Sequence, residues 1–231
     1  MDLLEPTRRA FALLLAGDPR LLEAIWLSLW VSVAAIALVA LPSVSLGFLL
    51  AKKRFPGRRA AVVLVQALLS FPTVVIGLIL YLLLSRRGPF GSFGLLFTPT
   101  AIMIGYMVIA FPILVVFTIS AVQGADPRVY ETARALGAGR LRASLTTLWE
   151  VRFGILAAVV NGFGRAISEV GMAIMVGGNI EGLTRNIPTA IALETTKGEF
   201  AQGIALGLVL MVVALGVNVL LAVLQGAGGL R

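Results

Sequence analysis

The sequence predicts an all-α membrane protein with five transmembrane helices and a long polar loop on the cytoplasmic side. Three observations carry that reading. Of the 231 residues, 59% are hydrophobic and 13% charged, against roughly 25% charged in soluble domains, and the mean hydropathy is +1.00. The apolar residues gather into runs of about 20 or more, the length a helix needs to cross a bilayer core of ~30 Å. Most of the 19 lysines and arginines sit in short clusters between those runs.

The same composition narrows the chemistry. With no cysteine there is no disulfide, thiolate metal site or cysteine nucleophile, and with no histidine the commonest general base and metal ligand is missing. No catalytic set and no metal site is read from the sequence. A net charge of +8 would suit a nucleic-acid binder, but the basic residues flank apolar runs and no basic patch interleaved with aromatics occurs. The charge is therefore assigned to membrane topology, and no nucleic-acid partner is expected.

Residues 1–20 form an N-terminal extracytoplasmic, interfacial segment. Thr7-Arg8-Arg9-Ala10-Phe11 and the apolar run 10–16 resemble a secretory or twin-arginine signal, but Asp2 and Glu5 acidify the leading region and Asp18-Pro19 follows without a small-residue cleavage pattern. The segment is read as an amphipathic stretch at the membrane surface. The transmembrane domain covers 21–225. Its first span runs over about residues 25–51, with Trp26 and Trp30 as interfacial aromatics and Pro42 as a bend. Lys52, Lys53, Arg54, Arg58 and Arg59 surround the tight turn at Pro56-Gly57. The second span, about 60–84, carries Pro72; the loop 86–99 is rich in Gly, Ser, Phe and Pro. The third, about 100–122, contains Pro112. After the polar loop 123–152 comes a fourth span at about 153–176, then a polar segment to Glu199 with a short helix near 188–195. The fifth span, about 200–224, has Gly203 and Gly207 as a small-xxx-small packing face, and 226–231 form a tail.

Five spans put the two ends on opposite sides. The turn at 52–59, the loop 123–152 and Arg231 hold eleven lysines and arginines, whereas the N-terminal segment and the loops 85–98 and 177–199 hold seven. By the positive-inside rule the first set is cytoplasmic, which places the N-terminus outside and the C-terminus inside.

Within the polar loop, Asp126-Pro127 reads as an N-cap followed by proline at the first helical position. Val129, Tyr130, Ala133 and Leu136 recur at spacings of three and four, and Gly137 fits the left-handed residue that ends a helix. A second short helix carries Leu141, Leu145 and Leu148 on one side and Arg140 and Arg142 on another. Two such helices joined at a glycine form a ledge along the bilayer, either a solvated loop or a docking face for a partner. In the fourth span Asn161, Arg165, Ser168 and Glu169 fall at offsets 0, 4, 7 and 8, one face of a continuous helix near mid-membrane. An ionised group at that depth costs at least ~2.5 kcal/mol. Two readings stay open: a pathway or gate lining, or an Arg165–Glu169 pair that only locks helices together.

Glu131-Thr132-Ala133 and Leu136-Gly137-Ala138, in the order E-T-A-x-x-L-G-A, resemble the E-A-A-x-x-x-G loop of bacterial ABC-importer permeases. Thr132 replaces the first alanine, and Trp149-Glu150 stands where many members have Leu-Pro. The similarity extends from about Leu21 to Leu224 and implies the type I ABC-importer permease fold. It also implies that Tyr130, Glu131, Thr132, Ala133, Leu136, Gly137 and Ala138 belong to a coupling helix that docks on a separate ATPase. The stretches G-R-A-I-S-E-V-G at 164–171, M-V-G-G-N-I-E-G at 175–182 and T-A-I-A-L-E-T-T-K-G at 189–198 are most similar to tungstate-uptake permeases. The shorter R-x-I-S-E-x-G core also resembles molybdate and sulfate permeases. The resemblance implies an oxyanion importer in a bacterial or archaeal cytoplasmic membrane, built from two copies of this chain, a pair of cytoplasmic ATPase subunits and an extracytoplasmic oxyanion-binding protein. No G-x-x-x-x-G-K-[ST] loop occurs, so ATP and Mg are expected on the partner ATPase and no cofactor on this chain. Two alternatives from other classes are an intramembrane enzyme using Glu169 and Asn161, which lacks a recognisable nucleophile with its base, and a non-transporting helical scaffold.

Overall fold

The structure, a computed structural model, describes residues 4–226, and among them the regular elements are all helical. Helix α1, Leu4–Ala16, ends at Gly17, whose φ of +66° lets the chain reverse. Asp18 then caps α2, Pro19–Lys52, accepting the Arg20 and Leu21 N–H groups at 2.9 and 3.3 Å, with Pro19 in the first turn where its missing donor costs nothing. At 34 residues, α2 is about 50 Å long and overreaches the bilayer core. Pro42 lies inside it without ending it. Helix α5, Pro99–Gln123, starts at Thr98, whose side chain accepts the Ala101 N–H, and likewise contains Pro112. The last helix, α11, spans Phe200–Gly226. Three helices, Pro19–Lys52, Pro99–Gln123 and Phe200–Val223, are long and apolar enough to cross a membrane singly.

The second and fourth spans differ from the continuous helices expected. Residues 60–84 form α3, Arg58–Leu68, and α4, Thr73–Leu84, which meet at 98°. Pro72 has no N–H to continue the ladder and biases the residue before it away from helix, so the chain turns between the two. The fourth span is α8, Arg152–Ile167, interrupted at 168–170 and resumed as the seven-residue α9, Gly171–Gly177. Counting each bent helix pair as one crossing brings the total to at most five; α7, Arg140–Glu150, meets α8 at 66°. Between α5 and α7 lies α6, Pro127–Ala135, and between α9 and α11 lies α10, Ile187–Lys197.

Helices α2 and α5 pack along each other and form the spine against which α8 and α9 rest. Val31, Ala35 and Ile36 of α2, Ile102, Tyr106 and Leu114 of α5, Ile167 of α8, and Met172 and Val176 of α9 share one buried core. Gly77 of α4 lies so close to α9 that an added Cβ would stand 2.9 Å from the Met172 Cα; any side chain there would push the two short helices apart. A smaller core gathers Ala10 of α1, Leu21 and Ala24 of α2, Ile187 and Ala190 of α10, and Ala205 and Leu206 of α11. The N-terminal segment is thus a helix docked on α11, with Phe11 and Leu15 on its open side. Of the two glycines expected to form a packing face on α11, Gly203 approaches Thr195 of α10, whereas a Cβ on Gly207 would meet no atom within 4 Å. The tail beyond residue 226, with Arg231, lies outside the described residues.

Candidate functional site

The loop 123–152 folds as the two short helices α6 and α7. Asp126 accepts the Arg128 N–H at 2.9 Å and the Arg128 guanidinium Nε at 3.0 Å. That backbone N–H first, then the guanidinium, holds the Asp126 carboxyl below the ordinary aspartate range. Helix α6 ends in a Schellman turn: Gly137 takes φ +87°, its N–H reaches the Arg134 carbonyl, and the Ala138 N–H reaches the Ala133 carbonyl, both at 3.0 Å. Arg134 adds a bond from Nη1 to the Ala138 carbonyl at 2.7 Å. The Lys52 ammonium lies 4.9 Å from the Tyr130 ring centre, tying the basic turn after α2 to α6.

The ledge faces a direction the apolar periodicity alone does not give. Ala143 and Thr147 are the buried residues of α7. Leu141, Leu145 and Trp149, at successive spacings of four, are 75%, 55% and 71% exposed, and Leu136 at the end of α6 is 83% exposed. Leu148 is half-buried; Tyr130, Ala133 and Ala138 are half-buried, and Glu131 and Thr132 are open. The apolar stripe therefore looks away from the chain, rimmed by Arg140, Arg142 and Glu150. Such a patch fits a partner surface rather than an interior. Trp149 enters the ledge only once the structure is seen, since as sequence it marks no more than a departure from the family pattern.

The four polar residues of the fourth span part company at the helix break. Asn161, Arg165 and Ser168 lie on the open side of α8: Asn161 Nδ2 donates to the Ala157 carbonyl, and Ser168 Oγ to the Gly164 carbonyl, both at 2.8 Å, each one turn back. Glu169 does not share their face. The helix has ended at Ile167, and Glu169 turns inward to 3% exposure. Its Oε2 accepts from Arg165 Nη1 at 2.6 Å and its Oε1 from the Met172 N–H at 3.1 Å. The carboxylate thus satisfies one of the free donors in the first turn of α9, at the positive end of that helix. Arg165 stays 41% exposed while gripping the buried carboxylate. The break so holds a cation on the open side and its counter-charge inside.

A buried polar node, not foreseen from the sequence, fastens the start of α10 to α5, α2 and the end of α9. Asn186 and Thr189 form a reciprocal capping box, and Asn186 Nδ2 donates to the Tyr106 hydroxyl of α5 at 2.9 Å. Ser28 of α2 accepts the Ile187 N–H at 2.7 Å, and Thr184 donates to the Gly177 carbonyl at the end of α9. The spacing Asn186-x-x-Thr189 around Pro188 was the available signal for the cap; the partners Tyr106 and Ser28 are too remote in sequence for any pattern to join them.

Comparison with known proteins agrees with this architecture. Residues 43–227 match the family of binding-protein-dependent transport system inner membrane components. The chain is 38% identical over 221 residues to the tungstate uptake system permease protein of Peptoclostridium acidaminophilum, covering 96% of this chain and 97% of that one. With the tungstate uptake permease of Campylobacter jejuni it shares 44% identity over 164 residues, 71% of this chain and 69% of the relative. Among solved structures, a bacterial alginate ABC transporter in complex with its alginate-bound periplasmic protein superposes with a TM-score of 0.72 at 19% identity, over 88% of this chain and 77% of that one. That likeness shows the shared fold.

Proposed function

Because the chain belongs to the binding-protein-dependent transport system inner membrane components, multi-pass subunits of ABC importers, we propose that it is the tungstate permease of such an importer. The observation that carries the substrate is the 38% identity to a tungstate uptake permease over nearly the full length of both chains. In this reading two copies form the translocation pathway, and a pair of cytoplasmic ATPase subunits binds the ledge. An extracytoplasmic tungstate-binding protein delivers cargo from the opposite side. ATP and Mg reside on the ATPase.

Two features of the chain support the assignment of roles. The exposed row of Leu136, Leu141, Leu145 and Trp149 supplies an apolar docking surface, positioned by the turn at Gly137. The Arg165–Glu169 pair at the helix break supplies a tempered positive charge on the pathway side, since an anion in a low-dielectric passage needs compensation that is not so strong as to trap it. The excess of basic residues in the 52–59 turn and the ledge supports a cytoplasmic position for both.

Competition uptake tests the substrate. Proteoliposomes holding permease, ATPase and binding protein should accumulate labelled tungstate, and unlabelled tungstate should compete better than molybdate or sulfate. Preferential competition by molybdate or sulfate would transfer the chain to that branch of the family.

A further inference from the structure

At the end of α4 opposite its bend, a cavity of about 610 Å³ is lined by Tyr81, Ser85, Arg86, Arg87, Leu96 and Phe97, among others, and by no acidic side chain. Elsewhere on this side Arg9 pairs with Glu5, Arg20 and Arg185 share Glu181, and Lys197 pairs with Glu194, while Arg8 on α1 is not among these pairs and is not part of this cavity lining. Among the described residues Arg86 and Arg87 take part in no ion pair, so two adjacent guanidinium groups face one concavity uncompensated. A cleft with apolar walls and charge of one sign focuses its potential and raises the local concentration of counter-ions. Guanidinium donors match the oxygens of a tetrahedral dianion in pairs.

The position of the cavity relative to the helix break gives it a role. Phe97, a non-glycine residue at φ +62°, donates its N–H to the Val176 carbonyl near the end of α9 at 2.8 Å, and its ring lies against Gly178 and edge-on to Tyr81 of α4. That left-handed conformation is strained for phenylalanine and is held by these contacts. The cavity wall is therefore fastened to one end of α9. The other end of α9 begins beside the Arg165–Glu169 pair. Seven residues separate them, about 10 Å of helix, so the wall of the cavity that Arg86 and Arg87 line and the Arg165–Glu169 pair lie at the two ends of one short helix.

We propose that Arg86 and Arg87 form an outer receiving site, which takes the oxyanion from the binding protein and holds it weakly before it passes along α9 to the Arg165–Glu169 break. The proposal rests on the importer reading above. A protein-docking role for the same loop, through the exposed Phe90 and Phe93, is the competing explanation, and so is an anionic lipid headgroup seated on the arginines; the cavity favours a small anion because the charges line a hollow with no acid in it.

The test uses the full complex in proteoliposomes with tungstate, comparing wild type, Arg86→Gln/Arg87→Gln and Arg86→Lys/Arg87→Lys. Both side chains are open to solvent, so the substitutions should leave folding intact. The receiving site predicts that the glutamine pair lowers tungstate moved per ATP hydrolysed by on the order of tenfold, with the lysine pair intermediate, while the affinity of the binding protein for the complex and its stimulation of ATP hydrolysis change less than about twofold. The same loss must occur in vesicles with and without anionic phospholipid. Weakened binding-protein docking with unchanged tungstate per ATP overturns the proposal in favour of a docking loop. A loss seen only with anionic phospholipid overturns it in favour of a headgroup, and a glutamine pair indistinguishable from a working wild type overturns it outright. A wild-type complex that moves no tungstate would instead defeat the importer reading on which the proposal depends.

Discussion

Arg165→Gln should destabilise this protein more than Glu169→Gln, although the two residues make the same 2.6 Å contact. The difference follows from burial. Glu169 is 3% exposed and, among the described residues, its other hydrogen-bond partner is the Met172 N–H, so removing Arg165 strands an ionised carboxylate in the interior, a loss of about 3–5 kcal/mol. Removing the charge of Glu169 leaves Arg165, 41% exposed, free to move its head toward the open side of α8. The glutamine oxygen still accepts the Met172 N–H, so the loss is that between a charge-assisted and a neutral hydrogen bond, about 1–2 kcal/mol. Unfolding of the two variants in detergent should therefore differ by about 2 kcal/mol, with Arg165→Gln the weaker. Equal losses, or the reverse order, would refute the claim that the carboxylate is the buried member. A double replacement, Arg165→Met with Glu169→Leu, removes both charges and should recover most of the stability. If that double variant also transports at the wild-type rate, the pair only fastens helices and its place on the pathway is lost; stable protein that hydrolyses ATP without moving tungstate supports the pathway.

Gly137→Val should cost about 1–2 kcal/mol of local backbone energy and weaken ATPase docking without disturbing the membrane helices, because a Cβ there meets no atom within 4 Å and the penalty is conformational alone; an unchanged ATPase affinity and substrate-stimulated rate would remove the ledge from coupling. Asn186→Ala should destabilise the protein by about 1–2 kcal/mol more than Tyr106→Phe, since it removes the cap of α10 as well as the bond to the phenol; equal effects in a denaturation series would mean that the cap contributes nothing. In this cysteine-free chain, a cysteine placed at Ser92 should react with an impermeant thiol reagent from outside and one at Ser144 should not; the opposite labelling pattern would invert the membrane orientation.

The sequence makes the long helices and the ledge legible for different reasons. α2, α5 and α11 are unbroken apolar runs, so composition alone finds them. The ledge declares itself through local chemistry, Asp126-Pro127 at one end and Gly137 at the other, and both adopt the conformations those residue types favour. The broken spans are hidden because proline does not act alone. Pro42 and Pro112 sit inside continuous helices whose neighbours accommodate the missing donor, whereas Pro72 stands at the head of α4, just after the turn that separates it from α3. The break at 168–170 is hidden for another reason: the polar spacing from Asn161 to Ser168 is that of an ordinary helix, and Glu169 leaves that face to accept the Met172 N–H in the first turn of α9. Periodicity finds the polar residues but not the turn that separates their faces. The Tyr106–Asn186 bond joins residues 80 positions apart, a pairing that only folding creates.

The central claim, that this chain carries tungstate inward under the drive of an ATPase docked on its α6–α7 ledge, is tested most directly in proteoliposomes with ATP inside and tungstate-loaded binding protein outside, using wild type and a Leu141→Asp/Trp149→Asp variant of the exposed row. The account predicts ATP-dependent accumulation of tungstate in the lumen by the wild type, and loss of both accumulation and ATPase binding in the variant. Accumulation that persists without ATP, or a variant that transports at the wild-type rate, would contradict it.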